Sequence, residues 1–200
     1  VQFTGITAAP EIMAYARSLT GFIYISASHN PIGHNGIKFG LNDGGVIPGI
    51  VATKLANHFQ LLCKTEKPKP LNTSSKTLIQ SKIDKVYAAS ITVKKAALTA
   101  YREFTMQVIT GEADKKAQQK AFKPISDSIK KFHLGIVADM NGSARTLSID
   151  NTFFAEQGLN FYPINNTAGE IVHAIIPEPE NLVHCAAHME QLQAQGTTDA

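Results

Sequence analysis

Ser26, Ser28, His29, Asn30, Asn35 and Lys38 crowd into one stretch, Tyr-Ile-Ser-Ala-Ser-His-Asn-Pro-Ile-Gly-His-Asn-Gly-Ile-Lys-Phe-Gly, spanning residues 24 to 40. A hydroxyl nucleophile such as Ser28 needs a partner for its proton and a group that stabilises developing charge. His29 follows it directly, and a hairpin would bring Lys38 back toward it. Either side chain can act as acid, base or anion clamp. A serine that accepts a phosphoryl group would gather negative charge, for Lys38 and a metal ion to balance. A plainer reading competes: Ser and Asn are ordinary turn residues, because their side chains bond to nearby backbone. On that reading His29 satisfies a carbonyl and Lys38 is a solvated strand lysine. Composition and spacing by themselves favour it.

The loop needs a mount. Phe22 to Ser26 has the aromatic and β-branched content of a short strand. Gly36 to Gly40 reads as its return partner, with Asn35-Gly36 as a turn signal. Pro10 to Leu19 reads as a helix: Pro suits a first turn, Ile12, Met13, Ala16 and Leu19 fall on one face, and Gly21 ends it. Pro48 opens another helix to about Cys63, with Ile50, Val51, Leu55, Phe59 and Leu62 as its apolar stripe. A long helical region follows from about Ile91 to Ile109, with Tyr101, Phe104 and Val108 on its apolar face. Residues 111 to 131 are polar and charged, and are expected to be helical at most on the surface.

A strand-helix unit then begins. Leu134 to Ala138 is a buried-type strand, Asp139-Met-Asn-Gly142 a turn, and Ser143 a cap for a helix to about Gln157. Gly158 stops that helix, Leu159 to Tyr162 is the next strand, and Asn181 to Gln193 the last helix. Strand and helix in alternation predict an α/β architecture. The boundary is placed near residue 98, giving domains 1–98 and 99–200.

The totals exclude several classes. The chain is 44% hydrophobic and 18% charged, as a globular protein is and a disordered one is not. A net charge of +3, scattered in sequence, argues against a nucleic-acid partner. No apolar run approaches a membrane span. Two distant cysteines, Cys63 and Cys185, suggest reduced thiols in the core of a cytoplasmic protein. The first residue is Val1, and Gly196 to Ala200 follows a helix without a closing element, so the chain is expected to be part of a longer protein.

Ser26-Ala-Ser-His-Asn-Pro31 followed by Asn35-Gly36-x-Lys38 resembles the active-site loop of the α-D-phosphohexomutases, the phosphoglucomutase and phosphomannomutase superfamily. That loop has Thr or Ser, then Ala-Ser-His-Asn-Pro, then Asn-Gly-x-Lys; here Ser26 stands in the first place. An ordered string with a second motif at the right distance is more specific than a lone glycine pattern. Gly5 to Pro10 is similar to the family's Gly-x-x-x-Thr-Pro segment, with Ala9 for Thr. The strand from Leu134, with Asp139 and Gly142, and Ile176-Pro-Glu-Pro179 resemble the opening of the family's second domain. Residues 111 to 131 look like additional sequence.

The resemblance implies three-layer α/β/α domains with mixed sheets, here two incomplete domains of a multi-domain mutase. It implies that Ser28 carries a phosphoryl group and passes it to a hexose monophosphate through a bisphosphorylated sugar, exchanging phosphate between C1 and C6. By position, His29 and Lys38 serve proton transfer and charge balance, and Asn30 and Asn35 shape the loop and contact substrate. Mg²⁺ would bind a phosphate oxygen on Ser28. The family's Asp-Gly-Asp-x-Asp-Arg metal loop has no counterpart here, so an isolated chain is expected to be inactive. The implied partner is a hexose phosphate, with its bisphosphate as activator; the sugar and the oligomeric state stay open.

Lesser signals have plainer readings. His184 and His188 stand four residues apart, a metal-pair spacing. Yet Leu182, Ala186, Met189 and Leu192 are expected to form the buried stripe, leaving both histidines on a solvated face. The Asp139-to-Ser143 turn could hold an anion, but an ordinary strand-to-helix connection suffices. The main alternative to an enzyme is a non-catalytic phosphohexomutase-like binding or regulatory protein. A serine hydrolase is weaker, since no Gly-x-Ser-x-Gly elbow surrounds Ser28.

Overall fold

The computed structural model describes residues 1–26, 30, 33–65, 80–175, 179–197 and 199. Its class is α/β, as the alternation of patterns predicts. Among the described residues there are two small sheets, one antiparallel pair and one parallel pair.

The first sheet joins β1 (Gly21–Ile25) to β2 (Ile37–Leu41), with Phe22 opposite Gly40 and Tyr24 opposite Lys38. Facing residues share a side of the sheet, so Phe22, Tyr24, Lys38 and Gly40 lie together. Helix α1 (Ala9–Ala16) covers that side: Ile12, Ala16 and Phe22 form a core cluster with Met13 and Tyr24 against it. Gly40 is required there, because a Cβ would overlap the Cε1 and Cζ edge of the Phe22 ring. The Tyr24 hydroxyl donates to the Thr7 carbonyl at 3.1 Å, tying the strand to the segment before α1.

The opposite side of the sheet carries Ile23, Ile25, Ile37 and Leu41, all exposed. Helix α2 (Gly49–Thr65) forms where the sequence predicts it, but its stripe is open too: Ile50, Val51, Leu55, Phe59 and Leu62 are exposed. Among the described residues no other element packs substantially on α2. Cys63 therefore sits on an exposed helix and is not a core thiol.

Helix α3 (Gln80–Ala88) leads into α4 (Ser90–Thr110), a single 21-residue helix that Gly111 closes in the left-handed conformation. Residue 98, the expected domain boundary, lies inside it. Toward its start, Lys94 pairs with Glu11 of α1 at 2.6 Å; further along, Phe104 lies under the Arg17 guanidinium at 5.0 Å. Near its middle, Arg102 Nη1 donates to Glu156 at 3.0 Å. Residues 111 to 131 hold more structure than their polarity suggests: α5 (Lys115–Phe132) is capped by Asp114, whose carboxylate accepts from the Lys116 and Ala117 amides. Phe122 and Ile129, seven residues apart on one face, are buried.

The second sheet pairs β3 (Gly135–Asp139) in parallel with β4 (Asn160–Ile164), Asp139 opposite Ile164. A 3₁₀ turn at Ala144–Leu147 and helix α6 (Asp150–Gln157) make the crossover. The expected single helix from Ser143 is thus split, and the Ser143 side chain makes no cap bond. Gly158 ends α6 with φ of 82°. A second 3₁₀ turn, Pro179–Leu182, precedes α7 (Val183–Ala194), which packs on β3.

Candidate functional site

The serine loop is the connection between β1 and β2. The Ser26 amide donates to the Gly36 carbonyl at 3.0 Å, which extends the ladder one step beyond Ile25 and Ile37. That bond fixes where the loop leaves and re-enters the sheet. Ser28 and His29 lie outside the described residues. Asn30 and Asn35 are exposed.

Lys38 sits one strand step inside the closure, half-buried, on the side of the sheet that α1 covers. Strand alternation puts Ser26 on the same side, two residues beyond Tyr24. Among the described residues Lys38 forms no ion pair.

Residues 1–64 match the family described as phosphoglucomutase/phosphomannomutase, alpha/beta/alpha domain I. This segment is thus similar to a phosphohexomutase domain I. No curated protein matches the chain. The phosphohexomutase match covers α1, the β1–β2 hairpin and α2. It therefore includes the helix that packs on the hairpin as well as the sequence motif itself.

A second polar cluster gathers at the carboxyl end of β3, and sequence reading names only part of it. Asp139 Oδ1 accepts from the Asn141 amide and from Asn165 Nδ2, each at 3.0 Å. Its Oδ2 meets His173 Nε2 at 2.8 Å. The other ring nitrogen, Nδ1, lies 3.0 Å from the Ala174 carbonyl oxygen. Both partners accept only, so the pair of contacts is fully satisfied when both ring nitrogens carry hydrogen, which favours the imidazolium form of His173.

Burial would pull the His173 pKa down, but its bonds to Ala174 and Asp139 and the Asp139 charge outweigh that and hold it above the ordinary value. Burial likewise pushes Asp139 up, and the bonds from Asn165, His173 and Asn141, with the His173 charge, bring it below the usual carboxylate value.

His184 stacks on His173, ring centroids 4.3 Å apart and planes 10° from parallel. This corrects the expected stripe of the last helix. Leu182 is 64% exposed and Met189 is 38% exposed, whereas His184, Cys185 and His188 are half-buried and Leu192 is buried. The reason is local: Leu182 belongs to the 3₁₀ turn, so the inward face of α7 runs through 184, 188 and 192.

Close by, a cavity of about 300 Å³ is lined by Asp139, Ser143, Arg145 and Asp150 together with apolar side chains. Arg145 is used internally, donating to the Tyr101 hydroxyl at 2.7 Å and to the buried Asp150 carboxylate. Among the described residues no group of three or more His, Cys, Asp or Glu side chains could hold a metal ion. No described helix is long and apolar enough to cross a membrane.

Proposed function

We propose that this chain carries the phosphoryl-bearing loop of a phosphosugar mutase, an isomerase that moves a phosphoryl group between C1 and C6 of a hexose phosphate. The observation that carries the reading is the Ser-Ala-Ser-His-Asn-Pro and Asn-Gly-x-Lys pair in the β1–β2 connection of a phosphohexomutase domain I. In the proposed cycle Ser28 Oγ holds the phosphoryl group. A hydroxyl of the hexose monophosphate attacks phosphorus, the P–O bond to Ser28 breaks, and a sugar bisphosphate results. The bisphosphate turns over in the cleft, and its other phosphoryl group transfers back to Ser28 Oγ. His29 and Lys38 handle the hydroxyl proton and the negative charge, and Asn30 and Asn35 contact the sugar phosphate.

Catalysis of such a transfer is mostly positioning and charge stabilisation. A loop pinned by the Ser26–Gly36 bond on a buttressed hairpin suits both. The Mg²⁺ that the resemblance implies finds no cradle among the described residues. The cytoplasm is the proposed compartment, consistent with the free Cys63 and Cys185.

The test is Ser28→Ala in the full-length protein, assayed with the 1-phosphates of glucose, mannose, glucosamine and N-acetylglucosamine, with and without Mg²⁺. Turnover should fall to background while the circular dichroism spectrum is unchanged. Phosphopeptide mass spectrometry should find phosphate on Ser28 in the wild type. Undiminished turnover, or phosphate on Ser26 alone, would overturn the assignment.

A further inference from the structure

The cluster at the end of β3 does more than close a turn. Asn141 has φ of 38°, a left-handed conformation that Asn tolerates because its short side chain bonds locally. From there its Oδ1 accepts from the Val172 and His173 amides at 2.9 and 3.2 Å, and its Nδ2 donates to the His173 carbonyl at 3.0 Å. The Gly169 amide donates to the Gly142 carbonyl at 2.8 Å. Segment 169–174 is therefore strapped across the carboxyl end of β3 by neutral bonds and one charged contact, His173 to Asp139.

We propose that Asp139, His173 and His184 form a proton-operated latch, which holds segment 169–174 against β3 while His173 is an imidazolium and loosens it when that proton leaves. The charged contact is the titrating part of the strap. Loss of the proton leaves one ring nitrogen with a lone pair facing an acceptor, Asp139 or the Ala174 carbonyl. Either arrangement removes a charge-assisted bond and opposes two electron-rich atoms.

The groups facing the pair are few. From α7, His184 presents its ring face. Arg145 and Asp150 share the cavity with Asp139 but are bonded to each other. From β4 and its end, Asn165 contributes a neutral amide.

The direction follows from linkage. His173 sits above its ordinary value, so its contribution is complete below about pH 6.5 and is lost as pH rises through the raised value. Asp139 sits below its ordinary value, so its contribution is lost only as acid carries pH down through that lowered value. The latch is closed below about pH 6.5, down to the lowered Asp139 value, and opens as pH rises through the raised His173 value.

Amide hydrogen exchange of Val172 and His173, followed by NMR and corrected for intrinsic base catalysis, reads the latch directly. Between about pH 5 and about pH 9, protection should decline by up to about tenfold per pH unit above pH 6.5 and level off past the His173 value. His173→Gln keeps a donor toward Asp139 but cannot titrate, so its protection should be flat. His184→Phe keeps the stacked ring, and the decline should survive. Constant protection in the wild type, or a decline that persists in His173→Gln, refutes the latch. The imidazole carbon and nitrogen shifts of the wild type give a check that needs no variant: His173 titrating at or below about 6.5 also refutes it.

Discussion

The hairpin that mounts the serine loop rests on α1, and α1 is pinned to α4 by one ion pair whose removal has a calculable effect. The Glu11 side chain is 0% exposed and that of Lys94 17%. Glu11 Oε2 takes the Lys94 ammonium at 2.6 Å and the Ala8 amide at 3.3 Å, while Oε1 has no partner among the described residues. Lys94→Met would therefore leave a wholly buried carboxylate with a single long neutral bond. Removing one partner of a buried pair costs about 3–5 kcal/mol, because the other charge stays behind uncompensated. The reverse change is milder. With Glu11→Gln, the partly exposed Lys94 can swing its ammonium to water along its flexible stem, and the loss is about 1–2 kcal/mol. The double variant, Glu11→Gln with Lys94→Met, should be more stable than Lys94→Met alone. Urea unfolding followed by circular dichroism measures all three. A loss of about 3 kcal/mol at a slope of about 2 kcal/mol/M lowers the midpoint by about 1.5 M. If Lys94→Met is no more costly than Glu11→Gln, the carboxylate is not sealed from water and the reasoning fails.

Two further substitutions probe the elements around the site. Gly40→Ala forces a methyl against the Phe22 ring; overpacking of this kind should cost about 1–3 kcal/mol in the same unfolding assay, whereas Gly49→Ala, where a Cβ meets nothing within 4 Å, should not destabilise. Asp114→Ala removes the acceptor for two amides at the start of α5 and should cost about 1 kcal/mol, with Asp114→Ser restoring most of it. A melting temperature unchanged in Asp114→Ala would mean that α5 is held by Phe122 and Ile129 alone.

The hairpin could be read from sequence because everything that defines it is local. Period-two alternation puts Phe22, Tyr24 and Ser26 on one side, and Asn35-Gly36 marks the return. Helix α5 was obscured by its own composition: lysines, glutamines and serines dominate it, and two buried residues, Phe122 and Ile129, suffice to dock it. The face of α7 was misjudged for a geometric reason. A stripe counted from Leu182 assumes 3.6 residues per turn from the first residue, and the 3₁₀ turn there breaks that count.

The Asp139 cluster was beyond any local pattern, and the reason lies in sheet pairing. Asp139 and His173 are 34 residues apart in sequence. Parallel pairing sets Asp139 opposite Ile164, so Asn165, the next residue, falls beside the carboxylate and donates to it. The chain then turns at Asn165, whose φ of 49° is again left-handed, and runs back over Asn141. Two asparagines in that conformation, one after each parallel strand, thus decide that His173 meets Asp139. A sequence reader sees only two Asn residues near strand ends, which is what any turn offers. The register of β3 against β4 makes them partners, and a one-residue slip would turn Asp139 to the other face of the sheet and break the cluster.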